Sequence, residues 1–290
     1  MKQFDRQYRF AAGRGNSGFE VGKTTLGSPA ALHINFNVEK ADTETPNSSR
    51  ISLWNLNHTQ LAVLNEKDCP VMLRAGYGNI MPIIFIGTVS YIYTELDGAD
   101  RETVIELIDG RVELRDTFVS LSYSGSINSK IILQAIAGEM GTPVTFSYNA
   151  KFYDFPNGFS YVGSVRTALD KACSSSGLQW QIQNGILQIK NRNDVMAKNV
   201  FVLSPETGLI NIPKKVMISA DGFSADTDGQ SSQEKIGYEV EYLLNGAIGI
   251  SDFVKLESKI ATGYFRVHTI DMQGNNIEGD WLCMASLIEV

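Results

Sequence analysis

Residues 46–56 read Pro46-Asn47-Ser48-Ser49-Arg50-Ile51-Ser52-Leu53-Trp54-Asn55-Leu56, and the fold is decided here. A turn built on Pro-Asn-Ser-Ser feeds a short alternating strand, which Asn55-Leu56 closes. Just before it, Leu32, Ile34, Phe36 and Val38 alternate with His33, Asn35, Asn37 and Glu39. That period of two, apolar on one side only, is the pattern of a strand in a sheet with one buried face. In the quoted strand Ile51 and Leu53 are the expected core pair. Trp54 falls in phase with Ser52, so it is expected to pack across a second sheet or to face a partner chain. Asn57 is placed to cap a short helix from His58 to Glu66, with Leu61 and Leu64 as its buried pair. A further turn, Ala75-Gly76-Tyr77-Gly78, follows.

Strand patterns dominate the rest of the first 120 residues. Met81-Pro82-Ile83-Ile84-Phe85-Ile86 reads as a buried strand, and Thr103 to Ile108 as another that ends at the turn signal Asp109-Gly110. The pattern changes near residue 122, where Ser122-Tyr123-Ser124-Gly125-Ser126 reads as a polar linker. Ile127 to Met140 then has helical spacing, with Ile127, Ile131, Ile132, Ile136 and Met140 on one broad face and Gly141 as the stop. A second helix is expected from Gly163 or Ser164 to Ser176, burying Val165, Leu169 and Cys173 and ending at Gly177. Asn184-Gly185 separates two alternating runs, Leu178–Gln183 and Ile186–Ile189, which is the strongest short-range hairpin signal. Trp180 shares a face with Leu178 and Ile182 and reads as core.

From about residue 195 strands return, at Val200–Leu203, Val216–Ile218, Ile236–Leu244 and Tyr264–Ile270. Between them the polar stretch 221–233 reads as a mobile surface loop. The expected architecture is mainly β with an α+β insertion. It has a β domain over 1–121, an inserted α+β domain over 122–194 and a second β domain over 195–290.

Composition narrows the function classes. The chain has 290 residues, 43% hydrophobic and 20% charged, with 26 glycines and 8 prolines, which suits a turn-rich, folded β protein with a sizeable core. A net charge of −7 argues against a broad basic surface for nucleic-acid phosphates. Three widely spaced cysteines, Cys69, Cys173 and Cys283, have neither disulfide-framework nor zinc spacing. The segment Met1–Arg6 carries no apolar signal core, and no run reaches the roughly 18 apolar residues of a membrane span.

Motifs that carry chemistry fail on context. Gly13-Arg14-Gly15-Asn16-Ser17-Gly18 matches G-x-G-x-x-G, but a polar alternation precedes it and Gly27-Ser28-Pro29 follows, where a dinucleotide site needs a buried strand and then a helix. Gly22-Lys23-Thr24 lacks the glycine five residues earlier that a phosphate-cradling loop requires, because position 17 is Ser. His33, His58 and His268 are isolated, and no serine sits in a G-x-S-x-G elbow. No catalytic, cofactor-binding or metal-ligating residue is singled out.

Three groups of residues, in this order, resemble the phage baseplate hub proteins found at the centre of contractile and some non-contractile tails. The first runs from Phe36-Asn37-Val38-Glu39-Lys40 through the quoted stretch to Ala75–Gly78, Ile84–Gly87 and Ile108-Asp109-Gly110. The second is the helix-Gly, helix-Gly and Trp-containing hairpin of 127–189. The third is Leu243-Leu244-Asn245, Val254-Lys255-Leu256, Gly263–Val267 and Gly279-Asp280-Trp281. It departs from the family at Ile250-Ser251, where such proteins often carry Pro-Gly.

The resemblance implies two β-barrel-like domains akin to the tail tube. A homotrimeric ring of such chains joins a sixfold tail tube, or its initiator, to a threefold needle or spike. DNA is expected to pass through the lumen without specific binding. It further implies a structural role in the virion baseplate after synthesis in the host cytoplasm, with no enzyme activity and no cofactor. Two other readings stand beside it: a tail-associated peptidoglycan hydrolase, and a carbohydrate- or receptor-binding tail protein using exposed aromatics such as Tyr77, Trp54 or Tyr153.

Overall fold

The computed structural model describes residues 5–23, 31–219 and 234–290. The first segment holds β1 (Arg6–Ala12), β2 (Phe19–Gly22), β3 (Ile34–Ala41), β4 (Ser48–Trp54), α1 (His58–Leu64), β5 (Pro70–Tyr77), β6 (Ile83–Asp97), β7 (Asp100–Ile108) and α2 (Arg111–Asp116). The middle unit holds β8 (Phe118–Tyr123), β9 (Ile127–Asn128), α3 (Ser129–Met140), β10 (Val144–Phe146), β11 (Asp154–Phe155), β12 (Phe159–Ser164), α4 (Val165–Ser174), β13 (Leu178–Gln183) and β14 (Ile186–Asn191). The last segment holds β15 (Val200–Leu203), β16 (Lys214–Ser219), β17 (Glu234–Leu243), β18 (Phe253–Glu257), β19 (Thr262–Asn275) and β20 (Trp281–Glu289). The architecture is mainly β with a small α+β unit between two β segments.

Among the described residues the two β segments form one 13-stranded sheet. Its order is β16-β17-β20-β19-β3-β4-β7-β6-β5-β1-β2, with β18 beside β19 and β15 parallel to β18. The join is β19. Its first half pairs with β18, and its second half pairs antiparallel with β3 from Thr269↔Ala41 to Asn275↔Asn35. β20 covers its other edge from Phe265↔Glu289 to Gly274↔Trp281.

The alternation in β3 places Ile34, Phe36 and Val38 inward, opposite Leu53, Ile51 and Ser49 of β4. Phe36 meets Trp281 edge-on at 5.3 Å between ring centroids. Gly274 lies between the two rings, where a Cβ would collide with both. One buried cluster therefore draws on both β segments, from Tyr8 and Phe10 to Tyr242 and Trp281. A second cluster belongs to the middle unit: Ile132, Leu133 and Ile136 of α3, Val165, Leu169 and Cys173 of α4, and Leu178, Trp180, Leu187 and Ile189 of the hairpin.

Local signals in the sequence are realised closely. Asn57 caps α1 in a reciprocal box with Gln60: its Oδ1 accepts from Gln60 N at 2.9 Å, and Gln60 Oε1 accepts from Asn57 N at 3.0 Å. Asn184 and Gly185 both take positive φ, 53° and 73°, as a two-residue hairpin turn of right-handed twist requires. Trp180 is buried and its Nε1 donates to Asp170 at 2.8 Å.

Four expectations shift. Val63 joins Leu64 as the buried pair of α1, while Leu61 packs half-buried beside them. Ile131 faces solvent, because the inward stripe of α3 is Ile132, Leu133, Ile136, Ala137 and Met140. Ser122 and Tyr123 belong to β8, which pairs with β12 through Ser122↔Ser160 and Tyr123↔Phe159. Residues 111–116, read among strands, form the helix α2, which has no buried residue and so no apolar stripe to reveal it. Gly27-Ser28-Pro29 and the 221–233 loop lie outside the described residues.

A methyl group at Gly185 would meet only Ile86, at 3.9 Å, so strain at positive φ dominates any change there. Gly185→Ala is expected to lower the unfolding free energy by about 1 kcal/mol. The urea midpoint measures this, with the folded far-ultraviolet spectrum unchanged.

Candidate functional site

The turn quoted at the outset does more than reverse the chain. Asn47 is buried, and its side-chain oxygen accepts from Ala41 N at 3.0 Å. Its amide donates to Ile182 O at 2.9 Å and to Gln183 Oε1 at 3.0 Å, both in the middle unit. The loop from Ala41 to Asn47 is thus one wall of a seat on which the β13–β14 hairpin rests.

Charged groups fill this seat. Asp42 accepts from Lys190 Nζ at 2.9 Å and from Ser251 Oγ at 3.1 Å, and it is ion-paired with Arg266. All four side chains are essentially excluded from water. Asp109, at the end of β7, accepts from the backbone N–H of Asn184 and, at 2.9 Å, from that of Gly185. Lys40 Nζ donates to Asn184 Oδ1 at 2.8 Å. Lys40 continues the inward phase of β3 beyond Val38, which is why a lysine is buried there.

Burial governs the protonation of these groups. It pushes Asp109 up to about 6 against its two backbone donors and Lys40, and pulls Lys40 down to about 8. Burial pulls Lys190 below the usual lysine range as well. His268 falls to about 4, through burial first and then Arg266 and Lys190, so it is neutral at pH 7. Ser251 holds a positive φ of 63° at this node.

On the opposite side of the 41–47 loop lies a groove of about 590 Å³. Thr43, Thr45 and Pro46 line it above, and its floor is the outward row of the sheet across the join. Glu241, Met284, Asp271, Glu39 and Ser48 follow one another there on adjacent strands. Asp271 and Glu39 are direct cross-strand partners, so two carboxylates face each other at the join. Burial, reinforced by Glu39, pushes the Asp271 carboxyl up, and its Oδ1 has no hydrogen-bond partner among the described residues.

The residues weighed from the sequence are scattered. His33 stacks on Trp54 at 3.8 Å, and Trp54 Nε1 donates to Asp97 at 3.0 Å, so Trp54 packs within its own sheet face. His58 opens α1 and His268 lies in the seat. The glycines at 13, 15 and 18 form the β1–β2 connection around a single turn, Gly15–Ser17. Lys23 ties to Gly78 O and Asn79 Oδ1, each at 2.8 Å, while Thr24 lies outside the described residues. Tyr77 is half-buried against Trp281, whereas Tyr153 is 55% exposed. The three cysteines are buried and free. Among the described residues no three His, Cys, Asp or Glu side chains group as a metal site, and no helix is long and apolar enough to cross a membrane. Sequence reasoning missed Asp42, Asp109, Lys190 and Arg266, because the contacts that build the seat come through long-range pairing.

No family model and no curated protein matches the chain in sequence. Solved structures match it in fold over nearly its whole length. The 43 kDa tail protein of prophage MuSo2 from Shewanella oneidensis superposes with a TM-score of 0.60 at 9% identity, covering 97% of this chain and 98% of that one. A tail protein from Neisseria meningitidis MC58 gives 0.61 at 11% identity, covering 97% and 96%. An E. coli component of the type VI secretion system, itself similar to the T4 bacteriophage tail proteins gp27 and gp5, gives 0.61 at 9% identity, covering 92% and 75%. The fold of this chain is the fold of these tail proteins.

The facing carboxylates set a pH test. The folded chain holds the Asp271 proton more tightly than the unfolded chain does. That contribution is complete below the ordinary carboxylate pKa and is lost as pH rises through the folded value. Asp271→Asn is therefore expected to stabilise the protein at pH 7 by about 0.5 kcal/mol, or about 1–2 °C, allowing for solvent screening of a half-exposed pair. The gain should vanish near pH 4, about the carboxylate pKa. Calorimetric melts of both proteins across pH measure it.

Proposed function

We propose that this chain is a structural protein of a phage tail baseplate. Three copies form a central hub that joins the tail tube, or its initiator, to the needle or spike. Residues 1–121 and 195–290 supply two tube-like β domains, and 122–194 is the unit inserted between them. The role is mechanical: the chain acts as a symmetry adaptor without catalysis, in the virion, after synthesis in the host cytoplasm.

The observation that carries this reading is the full-length likeness in fold to tail proteins from two bacteria. The continuous sheet adds physical support. β16 and β2 are the ends of its described path, and sheet ends that expose unpaired N–H and C=O groups are satisfied when copies pair or cover them in a closed ring. The outward face across the join also carries Glu39, Asp271 and Glu241, with Glu106 next to Arg50 on the neighbouring row. A lumen lined by that face repels DNA phosphates and lets the duplex pass without sticking.

Native mass in solution tests the proposal, alone and after mixing with the neighbouring tube or needle protein. The expected result is a species of three times 31.9 kDa, either outright or on adding the partner. A monomer in every mixture would overturn the hub reading.

A further inference from the structure

We infer that the middle unit, residues 118–191, is a separable body: it leaves its seat on the β segments with its own fold intact. The seat joins two bodies that each have a complete core.

The two buried clusters share no residue. Strand β13 shows how the boundary is drawn. Its Leu178, Trp180 and Ile182 point into the middle unit's own core, while Gln179, Gln181 and Gln183 point at the seat. A glutamine row of this kind is compatible with water, yet Gln181 is 0% and Gln183 7% exposed. The facing wall is equally polar: Asp42, Asn47, Asp109, Ser251 and Arg266. Gln179 and Gln183 donate to the carbonyls of Asp42 and Ala41, each at 3.2 Å.

Undocking such a surface exposes little apolar area, so the hydrophobic penalty for opening is small. Its hydrogen bonds exchange for bonds to water at modest net cost. Polar contacts between bodies of one chain allow relative motion, and buried ion pairs such as Asp42 with Lys190 orient a joint more than they strengthen it. The connectors tie the bodies by polar contacts. The helix α2 leads in with no buried residue, held to the first β segment through Arg111 to Val89 O at 3.0 Å. Residues 192–199, with neither helix nor strand, lead out; Val195 and Met196 are buried there, and the bond from Met196 N to Ser251 O opens with the seat.

Opening has a local consequence. The 41–47 loop contacts the middle unit through Asp42 and Asn47 and lines the acidic groove through Thr43, Thr45 and Pro46. Release of the unit frees that groove wall, so the seat and the outward face of the join are coupled through one short loop.

Native-state hydrogen exchange on the full chain tests this, read by mass spectrometry at increasing sub-denaturing urea. In the unmodified protein, the Asn184 and Gly185 amides are expected to exchange through an opening with little urea dependence. The amides of Ser129–Met140 and Val165–Ser174 should exchange only with the steep dependence of unfolding. Asp109→Asn and Asp42→Asn should each speed exchange at Asn184 and Gly185 about tenfold, the loss of roughly one charge-assisted hydrogen bond, and leave both helices unchanged. If seat and helices share one urea dependence, or if the variants change them together or not at all, the middle unit is not separable and the inference fails. The unmodified protein alone decides the first of these outcomes, so a variant that fails to fold does not block the test.

Discussion

The antiparallel pairing of Thr262–Asn275 with Ile34–Ala41 is the contact on which the rest of the structure depends. It is the only ladder among the described residues that joins the first β segment to the last. Without it the buried cluster that runs from Phe10 to Trp281 would be two smaller clusters, each with an open side. The same pairing fixes the end of β3, and with it the 41–47 loop. That loop carries the buried turn residue Asn47 and the buried carboxylate Asp42. Seat and groove are therefore opposite sides of one consequence of strand pairing.

The seat follows from the cost of burying charge. A carboxylate taken from water needs more than one partner to recover its hydration, and Asp42 has a lysine, an arginine and a hydroxyl around it. Asp109 is instead held by two backbone N–H groups of a tight turn, the geometry by which backbone donors gather an anion. Neither arrangement adds as much stability as packed hydrocarbon would. Both specify orientation, because a charge has few acceptable positions where a methyl group has many. The middle unit is consequently well placed without being fused to the core beneath it.

What the sequence made legible was local. The Asn57 cap, the Asn184-Gly185 turn, the stop at Gly141 and the alternation of β3 each depend on residues a few positions apart, and each is present in the structure, whereas α4 ends at Ser174, ahead of the expected stop at Gly177. The double partnership of β19 was not legible, since alternation says that a strand has two faces but not which strands flank its edges. The glutamines of β13 illustrate the same limit. Their spacing marked a polar face, and a polar face reads as solvent-facing, yet the structure covers it with another polar surface. Ile131 failed for a different reason. A helix rich in isoleucine has an apolar arc wider than the surface available to bury it, and tertiary contact selects one side.

The facing carboxylates at the join show which force won. Glu39 and Asp271 lie opposite each other because the register that pairs them also brings Phe36 beside Gly274 and Val38 beside Met272 on the inward side. A shift of one residue would separate the charges but turn every one of those side chains to the wrong face. Burying one such side chain contributes about 1.5–3 kcal/mol, whereas a partly solvated like-charge pair costs about 0.2–1 kcal/mol. The core therefore dictates the register and the surface tolerates the repulsion. The repulsion persists where both β segments contribute charge to a shared outward face, a few residues from the loop that also holds the middle unit. A negative face at that position costs the chain a little stability, and the apolar register beneath it outweighs that cost.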